Sequence, residues 1–288
     1  VKAPPFAYAR AESLDDALAL LAEGGEGAKL LAGGQSMVPL LAYRVARPSH
    51  LVDIDGLAGL DGIVAESGML ELGALVRHAQ LERTELEGAW GLLADAAGHV
   101  GHVPIRTRGT LGGSLAHADP AAELPVAVLA LDGRVVARSA RGERELDAAA
   151  FSSGPFSTSL ATDEVLVAVR VPAPPARSAG AFTEFAIRAG DFALAAAAVA
   201  AAVDESGAVA WARIALGGVD ATPVRAPEAE GELLGATLCG ATIDAAAAAA
   251  AAGCAPYGDH VADAAYRRDL VATLVRDALR RVEARLRL

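Results

Sequence analysis

Leu31-Ala32-Gly33-Gly34-Gln35-Ser36 (LAGGQS, residues 31–36) joins a short apolar run, Ala28 to Ala32, to a stretch of helical spacing from Ser36 to Arg44. A strand that ends in two glycines and leads into a helix is a place where backbone turns sharply and can approach a ligand closely. The N–H groups at the start of the following helix suit an anion. The plainer reading is a tight turn with Ser36 as helix N-cap, and the segment alone leaves both open. It is neither a Walker A loop nor the dinucleotide fingerprint G-x-G-x-x-G.

Outward from this turn, Ser13 and Asp16 resemble a capping box, and Leu14, Ala17, Leu18 and Leu21 recur at helical spacing until Gly24-Gly25. Leu51 to Ile54 reads as a strand, so residues 1–56 form a small α/β unit. Residues 57–175 mix strand-like pieces (Gly62–Val64, Met69–Leu72, Arg134–Arg138, Val165–Val171) with helical stretches at about Leu86–His99 and Pro120–Leu131. In the second of these, Asp119 suits an N-cap and Pro120 the first helical position. Pro172-Ala173-Pro174-Pro175 is the best linker candidate. Residues 176–288 carry strand signals at Ala181–Ile187 and Trp211–Leu216, and an Ala-rich run, Ala193 to Val203, that reads as a buried helix. The low-complexity run Ala245–Ala252 and an amphipathic helix from about Asp263 to Leu286 complete the unit. The expected class is α+β.

The formal charge of −11 and the pI near 5 argue against nucleic acid, which demands clustered Lys and Arg. The apolar run at 193–203 is far short of the ~20 residues that cross a bilayer, so no membrane span is expected. No charged segment followed by an apolar core opens the chain, and the expected location is cytoplasmic. Two cysteines, Cys239 and Cys254, are too few for a four-thiolate iron-sulfur cluster or a disulfide framework. A second glycine turn, Arg108-Gly109-Thr110-Leu111-Gly112-Gly113-Ser114, adds two hydroxyls. Two such turns can grip a diphosphate through backbone dipoles, although a pair of unrelated loop turns fits the residues as well. Glu123 reads as a first-turn acid that a ligand hydroxyl could also use. His99, His102 and His117 with Asp119 could be imagined as a metal site, since i, i+3 histidines share a helix face, but no metal site is expected, and no nucleophile–base pair stands out.

Together, LAGGQSMVP (Leu31–Pro39), LVDI (Leu51–Ile54), IRTRGTLGGSLAHADPAAELP (Ile105–Pro125) and RAGDFA (Arg188–Ala193) resemble the FAD-binding medium subunit of the xanthine oxidase and aerobic carbon monoxide dehydrogenase family, a molybdenum hydroxylase family. The resemblance runs from Phe6 to about Arg276. It implies a PCMH-type FAD-binding fold: two FAD-binding subdomains and a C-terminal α+β subdomain. It further implies that Ala32, Gly33, Gly34, Gln35 and Ser36, flanked by Leu31 and Met37, and Thr110, Leu111, Gly112, Gly113 and Ser114 hold the diphosphate and adjoining groups of a noncovalent FAD. Glu123 would meet a polar part of the cofactor, Val100 and Leu166 the adenine, and the loop bearing Asp191 and Phe192 the isoalloxazine. Many relatives of this family have Asn at Thr107 and a Lys near Glu184 that this chain lacks, and some have an aromatic at Val100. The implied role is electron transfer from iron-sulfur clusters to an external acceptor. Its implied partners are a large subunit carrying the molybdenum cofactor and a small iron-sulfur subunit, in a dimer of heterotrimers. The rivals are a self-contained FAD oxidoreductase of the vanillyl-alcohol oxidase type and a scaffold subunit that has lost FAD.

Overall fold

The computed structural model describes residues 2–287. Strands β1 (Ala7–Arg10), β2 (Ala28–Leu31) and β3 (His50–Asp53) form a parallel sheet in the order β1-β3-β2. Helix α1 (Leu14–Gly24) packs Ala17, Leu18 and Leu21 against it. The Ser13 hydroxyl accepts the Asp16 N–H as a cap should, but the Asp16 carboxylate accepts from Glu12 N–H instead of closing the box on Ser13. Helix α2 (Met37–Ala42) follows the glycine turn; Ser36 holds its N-cap position, but its backbone is already helical and its side chain makes no capping bond.

The second sheet has the order β4-β5-β10-β6-β7 and is antiparallel, built from β4 (Ile63–Glu66), β5 (Met69–Gly73), β6 (Arg134–Ser139), β7 (Gly142–Asp147) and β10 (Val165–Pro172). Between them lie α3 (His78–Arg83), α4 (Gly91–His99), α5 (Val103–Arg106), α6 (Leu111–His117), α7 (Glu123–Ala130), α8 (Ala148–Phe151) and the short ribbon β8 (Ser152–Gly154) and β9 (Ser157–Thr158). The helix expected from Pro120 starts three residues later. Asp119 Oδ1 accepts the Ala121 N–H at 2.9 Å, which closes a turn of its own, and Ala122 occupies the cap position of α7. The helix expected from Leu86 opens as a 3-10 turn at Gly88–Trp90 before α4.

The third sheet, β11-β12-β13-β14, is antiparallel: β11 (Ser178–Phe185), β12 (Ala195–Val203), β13 (Val209–Gly217) and β14 (Val224–Arg225). Helices α9 (Pro227–Leu233), α10 (Gly240–Gly253) and α11 (Ala264–Leu286) cover one face. The Ala-rich run is therefore the strand β12, not a helix. Ala196, Ala198 and Ala200 enter the core shared with α4 and α7, while Ala195, Ala197, Val199 and Ala201 enter the core beneath α10 and α11. A strand buried on both faces carries no polar alternation, and small side chains let helices approach from both sides; that packing overrides alanine's helical preference. One core joins α1 to Leu75, just after β5, and to Val136, Val165 and Val167 of the second sheet, and another joins α4 and α7 to the third. The loops that face these two joints are the ones that bear the candidate site. Among the described residues no helix is long and apolar enough to cross a membrane.

Candidate FAD-binding site

The two glycines of the first turn do different jobs. Gly34 has φ +75°, the left-handed conformation that reverses the chain after β2. Gly33 supplies the close approach: a Cβ placed on it would lie 2.0 Å from the Arg108 carbonyl oxygen and 3.0 Å from Gly109 Cα. The two turns, far apart in the chain, are thus pressed together at Gly33. The backbone N–H groups of Gly33, Gly34, Gln35 and Ser36 find no acceptor among the described residues. Gln35 folds back so that its side-chain amide donates to the Gly33 carbonyl at 3.1 Å. Successive unpaired N–H groups around a left-handed glycine make a concave, electropositive patch, the physical requirement for a diphosphate. Leu31 lines a groove of about 350 Å³ with Phe6, Tyr8, Val38, Leu41 and Leu51. Ala32 and Met37 flank the turn.

The second turn is built differently. Its N–H groups are already used: Leu111 donates to Val76, Gly112 to Ala74, and Gly113 and Ser114 to the Thr110 side chain and carbonyl. The Thr110 hydroxyl is the N-cap of α6. This turn therefore offers shape and the Ser114 hydroxyl more than backbone donors. Gly112 is pressed on Ala74, where a Cβ would be 2.7 Å from the Ala74 Cβ. Sequence reasoning missed the clamp that fixes it. Arg77 and Arg108 both pair with Asp55, at 2.7 and 3.1 Å, and Arg77 also donates to the Arg108 carbonyl. Asp55 lies two residues beyond β3, so the clamp ties the end of the first sheet to the second turn. Its only sequence signal was the Gly/Asp cluster at 55–61. Beneath the turn, His78 is 5% exposed with both ring nitrogens unpartnered, and burial pushes its pKa down to about 4, so it packs as a neutral ring.

The other expected residues arrive from three directions. The loop after β11 lays Gly190 (φ +83°) on His102, where a Cβ would be 2.0 Å from the ring, and this loop carries exposed Asp191 and Phe192, the latter 69% exposed. Half-buried Val100 ends α4, two residues from His102. Leu166 is buried on β10 in the core that also holds Leu111 and Leu115 of α6, so it stands behind the second turn. Glu123 opens α7 at 7% exposure, and burial pushes its pKa up to about 7. His99, His102 and His117 are kept apart: His99 packs on Phe182, His117 on Phe156, and His102 under Gly190.

Residues 4–174 match the family described as the FAD binding domain in molybdopterin dehydrogenase, and residues 180–282 the CO dehydrogenase flavoprotein C-terminal domain. The chain belongs to this flavoprotein family. Over 288 residues it is 43% identical to the 6-hydroxypseudooxynicotine dehydrogenase complex subunit alpha of Paenarthrobacter nicotinovorans, covering 100% of this chain and 97% of that one. It is 38% identical to the nicotine 6-hydroxylase medium subunit of the same organism, covering 99% and 100%. Among solved structures, a chain of the carbon monoxide dehydrogenase from Hydrogenophaga pseudoflava superposes with a TM-score of 0.94 at 36% identity, covering 99% of both chains. The family's FAD-binding domain thus includes both glycine turns and Glu123, whereas Glu184 and the Asp191–Phe192 loop fall in the C-terminal domain. The expectations of an α+β flavoprotein fold and of an oxidoreductase subunit are met.

Proposed function

We propose that the chain binds FAD noncovalently between its glycine turns and serves as the electron-transfer subunit of a molybdenum hydroxylase complex. In this reading Gly33 to Ser36 hold the diphosphate, Thr110 to Ser114 close over it, and Glu123 meets a polar part of the cofactor. Val100 and Leu166 flank the adenine, and the Asp191–Phe192 loop approaches the isoalloxazine. The subdomains are residues 1–56, 57–175 and 176–288. The observation that carries the proposal is the run of four unpaired N–H groups on a turn locked under Arg108. FAD would supply the redox chemistry; the protein's side chains supply position and electrostatics. The partners are a large molybdenum subunit and a small iron-sulfur subunit in a dimer of heterotrimers, located in the cytoplasm. That the relatives are subunits of complexes supports this reading.

Two outcomes follow. Acid precipitation of the yellow protein releases all its flavin, because Cys254 is buried in the C-terminal core and Cys239 caps α10, both away from the turns in the sequence. A coloured pellet would contradict noncovalent binding. The role itself is tested by mixing the FAD-loaded chain anaerobically with nicotine, caffeine, quinoline or carbon monoxide, the compounds named by its relatives, with and without its partner subunits. The flavin band bleaches only in the assembled complex. Bleaching of the isolated chain would favour a self-contained oxidoreductase.

A further inference from the structure

One face of the first sheet is only partly covered. The strand register puts Tyr8, Leu51 and Lys29 in one row across β1, β3 and β2, on the face opposite Val52 and the core beneath α1. Helix α2 shields part of that face with Leu41 and leaves the groove of about 350 Å³ beside Phe6, Tyr8 and Leu31. Its surroundings are apolar and open: Tyr8 and Val38 are exposed, and Tyr43 and Val45, just past α2, are 80% and 73% exposed. Two of the chain's four tyrosines thus stand in solvent within one short unit. Contiguous exposed apolar surface of this kind marks an interaction site. The FAD reading leaves this face free, since it sets the adenine and the isoalloxazine against residues of the second and third units.

The groove opens into a second concavity, of about 720 Å³, which shares Ala3 and Phe6 with it and is lined by Lys2, Arg44 and Arg47. No carboxylate among the described residues pairs with these three cations or with Lys29, whereas Arg134 and Arg144 on the second sheet each reach one. Backbone carbonyls fix the two arginines instead. Arg44 Nε donates to the Lys2 carbonyl and Arg47 Nε to the Arg44 carbonyl, both at 3.2 Å. Arg44 is held at φ +58°, a left-handed conformation that is costly for a long side chain and persists only where its surroundings over-determine it. Asp53, the one acid among the strand residues of this face, already accepts from the Tyr8 hydroxyl at 2.6 Å and from the Asp55 N–H. On a chain of formal charge −11, a preorganised cationic rim therefore borders an apolar groove.

We propose that this face of the first sheet is the docking surface for an acidic segment of a partner subunit: an apolar side chain of that segment fills the groove, and its carboxylates meet Lys2, Lys29, Arg44 and Arg47. The inference rests on the reading of the chain as one subunit of a complex. Charge complementarity selects the occupant, because opposite potentials across an interface steer encounter and reject wrong partners. A symmetric contact between two copies of this chain through the same face would bring the two sets of cations together. Tyrosine and arginine are also the residues that most often carry binding energy at interfaces, and Tyr8, Tyr43, Arg44 and Arg47 stand side by side with the groove.

The test is assembly of the full chain with its partner subunits, followed by analytical ultracentrifugation, for wild type, Tyr43→Ser, Arg47→Glu and Arg280→Glu. Tyr43→Ser and Arg47→Glu each weaken assembly at least about tenfold. Arg280→Glu, an equal charge reversal at an exposed position of α11, stays within about twofold of wild type. Added salt weakens wild type more steeply than Arg47→Glu, which has already lost one screened attraction. Hydrogen exchange of wild type, alone and assembled, shows new protection at residues 3–8 and 38–47, and this readout needs no variant to fold. Variants that assemble as tightly as wild type, no new protection at those residues, or an equal loss in Arg280→Glu overturns the inference and leaves the subunit reading standing. A dimer of the isolated chain that Arg47→Glu dissolves overturns it in favour of a second copy. A chain that assembles with no partner subunit overturns the subunit reading, and this inference with it.

Discussion

Gly33→Ala lowers the affinity for FAD at least about a hundredfold, equivalent to about 2.7 kcal/mol. The expectation comes from one methyl group. At Gly33 it would stand 2.0 Å from a backbone oxygen and 2.7 Å from its carbon, and neither can swing aside as a side chain does. The first turn must lift away from Arg108, which spreads the donors of Gly33 to Ser36 relative to the second turn and pulls on the Asp55 clamp. Gly34→Ala is the informative comparison. Its added Cβ meets only side-chain atoms, at 3.3 Å or more, so the cost is the left-handed backbone, about 1–2 kcal/mol. Gly240→Ala, with open space around it, keeps wild-type affinity. Equilibrium titration with FAD, alongside circular dichroism to confirm the fold, ranks the three. Near-normal affinity in Gly33→Ala would show that contact between the turns is irrelevant to the cradle.

This ordering also shows where the sequence was legible. Glycine pairs mark both turns, and the resemblance of four separated motifs brings them into one fold, but nothing in either turn says which glycine faces its partner. That depends on the register of β2 and β3 and on Arg108, far along the chain. Similarly, β1 was missed because Ala7–Arg10 is short and largely exposed and has no alternation to betray it. The Ala-rich β12 was read as a helix because local propensity is all a lone segment offers, and the two covering layers that make it a strand come from distant residues. Asp119-Pro120 has good helix-start chemistry, yet the Asx turn at Ala121 uses the Asp side chain first. Glu184 could be seen only as lying near a lysine that relatives carry; that its Oε2 is buried without a hydrogen-bond partner is a tertiary fact. Local periodicity thus found α1, β10 and α11, whose burial patterns are set by their own residues, and failed where burial is set by neighbours.

The largest stability effect is expected at Arg267, which no motif picked out. Its side chain is only 3% exposed on α11, and it gathers groups from three segments. One guanidinium nitrogen donates to the carbonyls of Leu194 and Gly218, at 2.5 and 2.9 Å, and the other pairs with Asp259 at 2.7 Å while the group stacks 4.7 Å from the Tyr257 ring. Leu194 closes the loop that carries Asp191 and Phe192, and the Gly218 N–H donates to the Pro120 carbonyl just before α7. Arg267→Met keeps much of the volume but leaves two carbonyls and a carboxylate without their donor. Removing one member of such a buried set costs about 3–5 kcal/mol. At about 2–4 °C per kcal/mol for a chain of this size class, Tm falls by roughly 10 °C. Arg267→Lys recovers less than half of the loss, because a single ammonium cannot span both carbonyls and Asp259 as the planar fork does. Asp259→Asn costs less than Arg267→Met, since Asp259 is a third exposed and water replaces part of the pair. Calorimetry of the three variants, with FAD titrated into each, checks the order. A shift in Tm of under 2 °C for Arg267→Met would mean that the carbonyls are satisfied by water and that the loop does not depend on this cation.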